Sequence, residues 1–464
     1  MAIQLRDYQD KAVGDCFEYA SDQPSGRLLL VCPPGGGKTI ITGAFLLHAV
    51  VDGGMTALVA AHRREIVEQH YKHLVHEAGV HEELVGVIMS MDRRVRPNAP
   101  IQIASVDTLR GRDKPPADVV VTDEAHRDAA DSRRALRTLY SDAFRLGVTA
   151  SPCRMDGRGL GEDYDKMIVA AQYGQLIDGG WIVAPRVFTV PTTFQPDLTG
   201  VRVVRGDYES RALSRAMLAR GLVGNIVDHW KARAAGMSTV IFAVSIEHSH
   251  QIVKAFQRAG IRVRHLDQRT PRQERQQYLE EFERGDVQIL SCVNILSEGW
   301  DSPRCKCVVM ARPTRSLNLH LQQSGRCMRP WEGLTPLILD HAGNALRPAL
   351  NLPYLDREWK LTPDRMVTAE DQGLPPAKCC EVCQAVIHAG CTTCTECGAD
   401  LPRADVPKEH AGQLVEYVPT QAERDRDRTR IHQFAARKGL PEEWADRVFR
   451  AKYDRFNGRV SVSE

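Results

Sequence analysis

Residues 28–47, LLLVCPPGGGKTIITGAFLL, leave the backbone few options. A five-residue apolar run is cut off by two prolines and three glycines, and an apolar stretch of helical character follows at once. The pattern predicts a buried strand, a tight turn and a helix. Gly35, Gly36 and Gly37 allow bare backbone N–H groups to approach an anion at the helix start, after the turn entered through Pro34. Lys38 can then reach the β- and γ-phosphates of a nucleotide, and Thr39 can ligate Mg²⁺. The stretch departs from the phosphate-loop pattern G-x-x-x-x-G-K-[ST] at Cys32, where the first glycine belongs. The competing reading is a strand–turn–helix corner with a surface lysine.

The same alternation of short apolar runs with longer amphipathic ones continues through TALVAAH, RREIVEQHYKHLVHEAG, IQIAS, DVVVTD and FRLGVTA. It weakens over 152–210, which is rich in Gly, Pro and Asp. It resumes with TVIFAVS (239–245), HSHQIVKAFQRAG, IRVRHLD, VQILSC, KCVVMA and TPLILD. Strand–helix–strand repetition implies crossover connections and parallel sheets. The expectation is an α/β chain with two such units in tandem. In the second, Thr270-Pro271-Arg272-Gln273 predicts a helix start with Thr270 as cap. Tyr278, Leu279 and Phe282 would be its buried face, and Gly285 its end.

Composition adds little. Sixty-one basic against fifty-nine acidic residues give a formal charge of +2, so any basic surface must be local. The start, MAIQLRDYQD, has no basic segment leading into an apolar run, and no run is long enough for a bilayer, so neither a secretory leader nor a membrane partner is expected. The thirteen cysteines are then expected in a reducing compartment, where clustered thiols favour metal.

VVVTDEAH puts Asp123-Glu124 at the end of an apolar strand, on the sheet edge shared with the phosphate loop. Asp123 would bind Mg²⁺, and Glu124 would activate the attacking water. Asp123-Glu124-Ala125-His126 resembles the DEAH signature of superfamily-two helicases. LRDYQDKAV resembles their adenine-reading motif, with Arg6 and Gln9 at matching positions. VAAHRREIVEQ is similar to the segment that touches the nucleic-acid backbone. SVDTL (105–109), GVTASPCR (147–154), LSEGWDSP (297–304) and QQSGRCMR (322–329) are similar to the later motifs. That family commonly has a small residue in place of the loop's first glycine, as at Cys32. It commonly has threonine where this chain has Ser151.

The resemblance implies a fold of two RecA-like domains, ATP and Mg²⁺ as substrate and cofactor, and a nucleic-acid motor activity. Gln322, Arg326 and Arg329 fall three or four residues apart, on one helix face. Arg329 would be the arginine finger and Arg326 its phosphate-binding companion. Gly299 and Asp301 would couple ATP to strand binding. TASPCRMDGRGL, ARPTRSLNLHLQQSGRCMRP and LILDHAGN resemble RadD-type DNA-repair ATPases and related phage helicases. This favours DNA over RNA as partner, and a bacterial or phage-infected cytoplasm.

Six cysteines lie between 379 and 397. Cys380-x₂-Cys383 and Cys394-x₂-Cys397 have the spacing of two zinc knuckles, which predicts one Zn²⁺ on those four thiolates. Cys379 is spare, and Cys391-x₂-Cys394 is a rival pairing. The RadD-type resemblance also implies a ribbon here.

The expected organisation is an ATP-binding domain at 1–190, a second domain at 191–348, a linker at 349–378, a zinc ribbon at 379–400 and a polar helical region at 401–464. Within the last, ERDRDRTR reads as a solvated helix face and LPEEWADRVFRAKYDRFNG as an amphipathic helix. The ribbon or the tail could receive a protein partner. The rival functions are an RNA helicase and, from another class, a non-hydrolysing ATP-binding adaptor. The motor of a nuclease, suggested by Glu358-Trp359-Lys360 with Asp340 upstream, is discounted because no nuclease core surrounds that tripeptide.

Overall fold

A computed structural model describes residues 4–127, 138–154, 156–190, 195–204, 206–218, 223–362, 372–401, 421–438 and 440–453. They fall into two compact units, 1–401 and 402–464.

The first unit holds two parallel sheets. Lobe 1 contains β1 (Arg27–Val31), β2 (Ala57–Ala61), β3 (Val85–Ile88), β4 (Ile101–Ser105), β5 (Val119–Asp123), β6 (Phe144–Thr149) and β7 (Lys166–Val169), in the order β3-β4-β2-β5-β6-β1-β7. Leu28–Leu30 and the whole of β2 are almost inaccessible, because helices cover both faces of the sheet. These helices include α1 (Asp7–Asp22), α2 (Lys38–Leu47) and α3 (Arg64–Lys72). Val31 pairs with Thr149, and Asp123 with Val148. The ends of β1, β6 and β5 therefore share one edge.

After α4 (Tyr173–Asp178) the chain enters lobe 2 through β8 (Arg186–Thr189). The expected domain boundary at 190/191 thus falls just after a strand of the second sheet. That sheet runs β12-β13-β11-β14-β15-β8, all parallel. Its further strands are β11 (Thr239–Phe242), β12 (Val263–Leu266), β13 (Ile289–Cys292), β14 (Cys307–Met310) and β15 (Leu337–Asp340). A two-residue pairing of β9 (Val203–Val204) with β10 (Asp207–Tyr208) precedes α5 (Ser210–Leu218) and α6 (Val223–Arg233). The remaining helices are α7 (Ile246–Arg258), α8 (Arg272–Arg284) and α9 (Leu317–Ser324).

The start of α8 corrects the expectation. Pro271 is the N-cap and has no side-chain cap bond. Thr270 instead exchanges bonds with Asp267, whose backbone N–H donates to Thr270 Oγ1 at 3.0 Å and whose Oδ1 accepts from Thr270 N–H at 3.0 Å. The hydroxyl is spent on the turn before the helix. At the other end Gly285 terminates it at φ +84°, and Phe282 is buried as expected.

The segment expected as a plain linker is ordered over 349–362, while 363–371 lie outside the described residues. Arg357 is almost fully buried, and its guanidinium donates to the carbonyls of Leu350 (2.9 Å), Leu352 (3.1 Å) and Leu355 (2.9 Å). Its own carbonyl accepts from Gln172 of lobe 1 at 3.0 Å, and Asp356 accepts from Gly174 N–H at 2.8 Å. The segment is a strap between the lobes. Asp340 accepts from the amides of Ala342 (3.1 Å) and Ala345 (2.7 Å), so its carboxylate serves its own loop.

In the second unit, α10 (Gln421–Lys438) and α11 (Glu442–Tyr453) form a helical hairpin. Arg424 is nearly buried, and Tyr453 OH donates to Asp427 at 2.7 Å. The acid–arginine run is therefore partly a packing face rather than wholly solvated. Residues 402–420, 439 and 454–464 lie outside the described part. No described helix is long and apolar enough to cross a membrane.

Candidate active site

The loop after β1 is built around Cys32. A Cβ on Gly36 would collide with the Cys32 Sγ, so the thiol occupies the space that a side chain at 36 would need. Burial pushes that thiol up to about 11, so it packs as a neutral group. Gly35 and Gly37 take φ +95° and +81°, the left-handed region that favours glycine. Gly37 is the N-cap of α2, which begins at Lys38. The Lys38 Nζ lies 3.4 Å from the Cys32 carbonyl oxygen, and Gln69 Nε2 lies 3.5 Å from Thr39 Oγ1.

Asp123 and Glu124 stand on the same edge. Asp123 Oδ2 is 3.0 Å from His70 Nε2, and its Oδ1 accepts from Glu124 N–H at 2.8 Å. Burial opposes ionisation of Asp123, but His70 and the Lys38 charge outweigh it and hold the carboxyl below its ordinary value. Glu124 is buried at φ +54°, an uncommon conformation for a non-glycine residue. Its Oε2 is 3.2 Å from His126 Nδ1 and accepts from Gln322 of lobe 2 at 3.3 Å. His126 Nδ1 is also 3.2 Å from Thr149 Oγ1. From there the contacts run through Ser151 to Asn318, whose amide donates to the Cys153 carbonyl at 2.7 Å.

Lobe 2 closes over the loop. A Cβ on Gly325 would come within 2.5 Å of the Pro34 side chain, and one on Gly35 within 2.6 Å of an Arg329 nitrogen. Arg329 is half-exposed and pairs with Asp301 at 3.0 and 3.2 Å. Arg326 is placed differently. It is enclosed and donates to the carbonyls of Ser297 (2.8 Å), Gln322 (3.2 Å) and Trp300. Those bonds brace the 297–301 segment, so the shared helix face does not carry both arginines to the loop. Gly299, at φ +69°, sits with its Cα against Glu65 and Ile66 of α3, where a Cβ would be tight.

Gln9 is buried with its amide engaged at both ends. Oε1 accepts from Arg6 N–H at 3.1 Å and Nε2 donates to the Gly36 carbonyl at 3.2 Å. Tyr8 OH donates to the same carbonyl at 2.9 Å. The Arg6 guanidinium lies over the Trp181 ring at 3.8 Å.

Three partners were not legible as site residues. His70 sits on the buried face of α3 with Ile66, Val67 and Tyr71, so in sequence it looks like packing. Glu298 is almost fully buried and reaches lobe 1 at His62 (2.8 Å), Arg63 (3.3 Å) and Arg127 (2.6 Å). Burial alone would raise its carboxyl, but His62 and the Arg127 charge hold it well below the usual range. Trp181, in the segment joining the lobes, is 40% exposed.

The Sγ atoms of Cys380, Cys383, Cys394 and Cys397 lie within 4.8 Å of one another, and Cys379 and Cys391 are outside that group. The pairs across the two knuckles are Cys380 with Cys397 at 3.9 Å and Cys383 with Cys394 at 3.7 Å. The knuckles follow β16 (Ala377–Cys379) and β17 (Val386–His388), an antiparallel pair. The hairpin is not a free appendage. Ala385 bridges Phe188 of β8, Thr189 N–H donates to the Gln384 carbonyl at 3.0 Å, and Cys380, Ala385, Ile387 and Cys394 belong to the apolar cluster of Trp230 and Ile241.

Two family models match the two lobes. "Type III restriction enzyme, res subunit" covers residues 2–154 and "Helicase conserved C-terminal domain" covers 221–330. A 51.5 kDa protein of a Lactococcus phage is 29% identical over 92% of this chain and 90% of its own length. The putative ATP-dependent helicase IRC3 of Saccharomyces cerevisiae is 26% identical over 70% of the chain, which spans about half (49%) of it. A putative DNA 3'-5' helicase Rad25 of Halobacterium salinarum is 27% identical over 74% of the chain and 57% of its own length. Among solved structures, a fragment of a putative HsdR subunit of a type I restriction enzyme from Vibrio vulnificus shares the fold, with a TM-score of 0.59 and 21% identity over 75% of this chain and 67% of that one. With the loop, the Asp-Glu pair and the arginine of lobe 2 meeting in one cleft, the chain belongs to the superfamily-two helicases, ATP-driven motors on nucleic acid.

Proposed function

We propose that the chain is a DNA-directed helicase or translocase of the RadD type, working in repair, recombination or replication. The observation that carries the reading is the meeting of Gly35, Glu124, Gln322 and Arg329 in one cleft formed by both lobes. Lys38 and the amides of Gly35–Gly37 hold the phosphates. Thr39 and Asp123 offer a hydroxyl and an ionised carboxylate, hard oxygen donors that suit Mg²⁺. Bound there, Mg²⁺ would neutralise charge developing on the transferred phosphoryl group. Glu124, its carboxylate set by His126 and Gln322, orients and deprotonates the attacking water. Arg329 exchanges Asp301 for the phosphate as the finger. Arg326 holds the 297–301 segment so that Gly299 and Asp301 move with it, and Glu298 ties that segment to the strand-binding side of lobe 1.

DNA over RNA is supported by the name of the haloarchaeal relative and by the RadD-like motifs. The four clustered thiols fit a tetrahedral Zn²⁺ site, and zinc would fix the hairpin's two turns. A cytoplasmic setting and a protein partner at the hairpin or tail belong to the same reading. The test is ATP hydrolysis without polymer and with single-stranded, duplex and forked DNA and RNA. Stimulation by DNA well above RNA is expected. Stimulation by RNA alone moves the reading to an RNA helicase, and absence of turnover with every polymer moves it to an adaptor.

A further inference from the structure

Lys306 is a buried cation that the chemistry of the cleft leaves unused. It stands one position before β14 and is 1% exposed. Its backbone is locked into the second sheet: its N–H donates to the Ser238 carbonyl at 2.9 Å, and its own carbonyl accepts from Leu337 N–H at 2.8 Å. Among the described residues no carboxylate pairs with its ammonium. The thiols of Cys305 and Cys327 lie near it, but burial holds both far above their ordinary value, so they pack as neutral groups. Burial also pulls the ammonium below its own ordinary value. A cation in such a place is costly unless hydrogen-bond acceptors meet it.

The acceptors are two carbonyls of the turn that carries Arg329. Lys306 Nζ donates to the Cys327 carbonyl at 3.2 Å and to that of Arg329. The Met328 carbonyl between them accepts from Val183 N–H at 2.8 Å. Three consecutive carbonyls are thus held from two sides, by the second sheet and by the segment joining the lobes. Their need is plain: α9 ends at Ser324, and carbonyls beyond a helix end have no helical partner. With these oxygens held, the backbone at 329 is fixed. Its side chain leaves toward Gly35, where a Cβ would come within 2.6 Å of an Arg329 nitrogen.

We propose that Lys306 is a positioning residue for the arginine finger: its ammonium clamps the carbonyls on either side of Met328 and so aims Arg329 at the phosphate in the loop. The proposal rests on the reading of Arg329 as the finger and adds the group that aims it. The ammonium is spent on backbone, so Lys306 acts on the reaction only through Arg329. A finger works by placement, and a displacement of about 1 Å costs on the order of a hundredfold in rate.

The test measures ATP hydrolysis, without polymer and with single-stranded DNA, for wild type, Lys306→Met, Lys306→Arg, Arg329→Ala and the double variant Lys306→Met with Arg329→Ala. Lys306→Met should lower kcat on the order of a hundredfold with the KM for ATP within about twofold, the split expected of a contact made in the transition state. Lys306→Arg keeps a cation and its donors and should recover most of kcat. The double variant should be no slower than Arg329→Ala, because without the finger there is nothing to aim. Wild-type kcat in Lys306→Met overturns the proposal. So do losses that multiply in the double variant, which would mark Lys306 as acting on the fold at large. Should Lys306→Met fail to fold, Lys306→Gln decides. Its amide still donates but is one bond short of reaching both carbonyls, and kcat should fall about tenfold at unchanged KM. Wild-type kcat there, or failure of this variant to fold as well, overturns the proposal. Wild-type turnover in Arg329→Ala defeats the finger reading and this proposal together, whereas a slow Arg329→Ala beside an indifferent Lys306→Met defeats this proposal alone.

Discussion

In the cleft, Asp123 and Glu124 stand at the end of β5 and Lys38 at the start of α2, on a sheet sealed on both faces by helices, and their positions follow from several layers of apolar packing. At the cysteine hairpin, four thiols hang from two strands of three residues each. Burial fixes the first array, so its polar groups are left for chemistry. In the second array the proposed zinc would make the polar groups themselves the means of fixing. The division is not complete, because the hairpin borrows part of the lobe 2 core through Ala385, Ile387 and Cys394. Stability should therefore be separable from turnover in the cleft and inseparable from metal in the hairpin.

The largest effect should come from Lys38→Ala. Removal of the loop's fixed charge should abolish hydrolysis and weaken ATP binding while the melting transition barely moves. Wild-type turnover would end the comparison at its first term. Arg329→Ala should cost hydrolysis on the order of a thousandfold, with folding spared, because its guanidinium pairs with the exposed Asp301. An unchanged rate would mean that the lobes do not close on the phosphate.

Cys394→Ser should release the metal. Since Cys394 packs with Trp230 and Ile241, the loss should lower the thermal stability of lobe 2 and not merely loosen 379–400. Metal analysis with thermal denaturation checks both halves, and a metal-free wild type would reject the site. Arg326→Ala should sharpen the contrast with Arg329. It leaves three carbonyls without their donor, a loss of about 1–3 kcal/mol for a buried group, and it should be seen first in urea unfolding. Full stability with a thousandfold slower turnover would return Arg326 to the phosphate. The smallest effect belongs to Cys391→Ser, which should keep its metal, because Cys391 lies outside the four-thiol group.

The sheets, the loop and the Asp-Glu pair were legible because each is local: an apolar run, a glycine turn, two acids at a strand end. Spacing offered two knuckle registers, one beginning at Cys380 and the rival at Cys391, and it is the fold of the hairpin that brings Cys380, Cys383, Cys394 and Cys397 together. What stayed hidden depends on the lobes meeting. Glu298 finds His62 across 236 positions and Arg127 across 171, and no pattern within a window links them. Arg326 and Arg329 share a helical spacing, yet the backbone turns after Ser324 and sends one inward to carbonyls and the other outward to Asp301. Thr270 was misread because the same hydroxyl suits a helix cap and an Asp turn, and Asp267 three residues earlier won it.

The fit of Cys32 under Gly36 has a consequence for how such a loop can change over generations. The two positions form one volume, filled by a thiol on one side and by nothing on the other. Residue 36 cannot gain a side chain alone: an alanine there is admissible only in a lineage that has first trimmed 32, and a bulkier residue at 32 closes the route to any side chain at 36. The departure from the usual first glycine is therefore half of a correlated pair, and its history should be written at residue 36 as much as at residue 32.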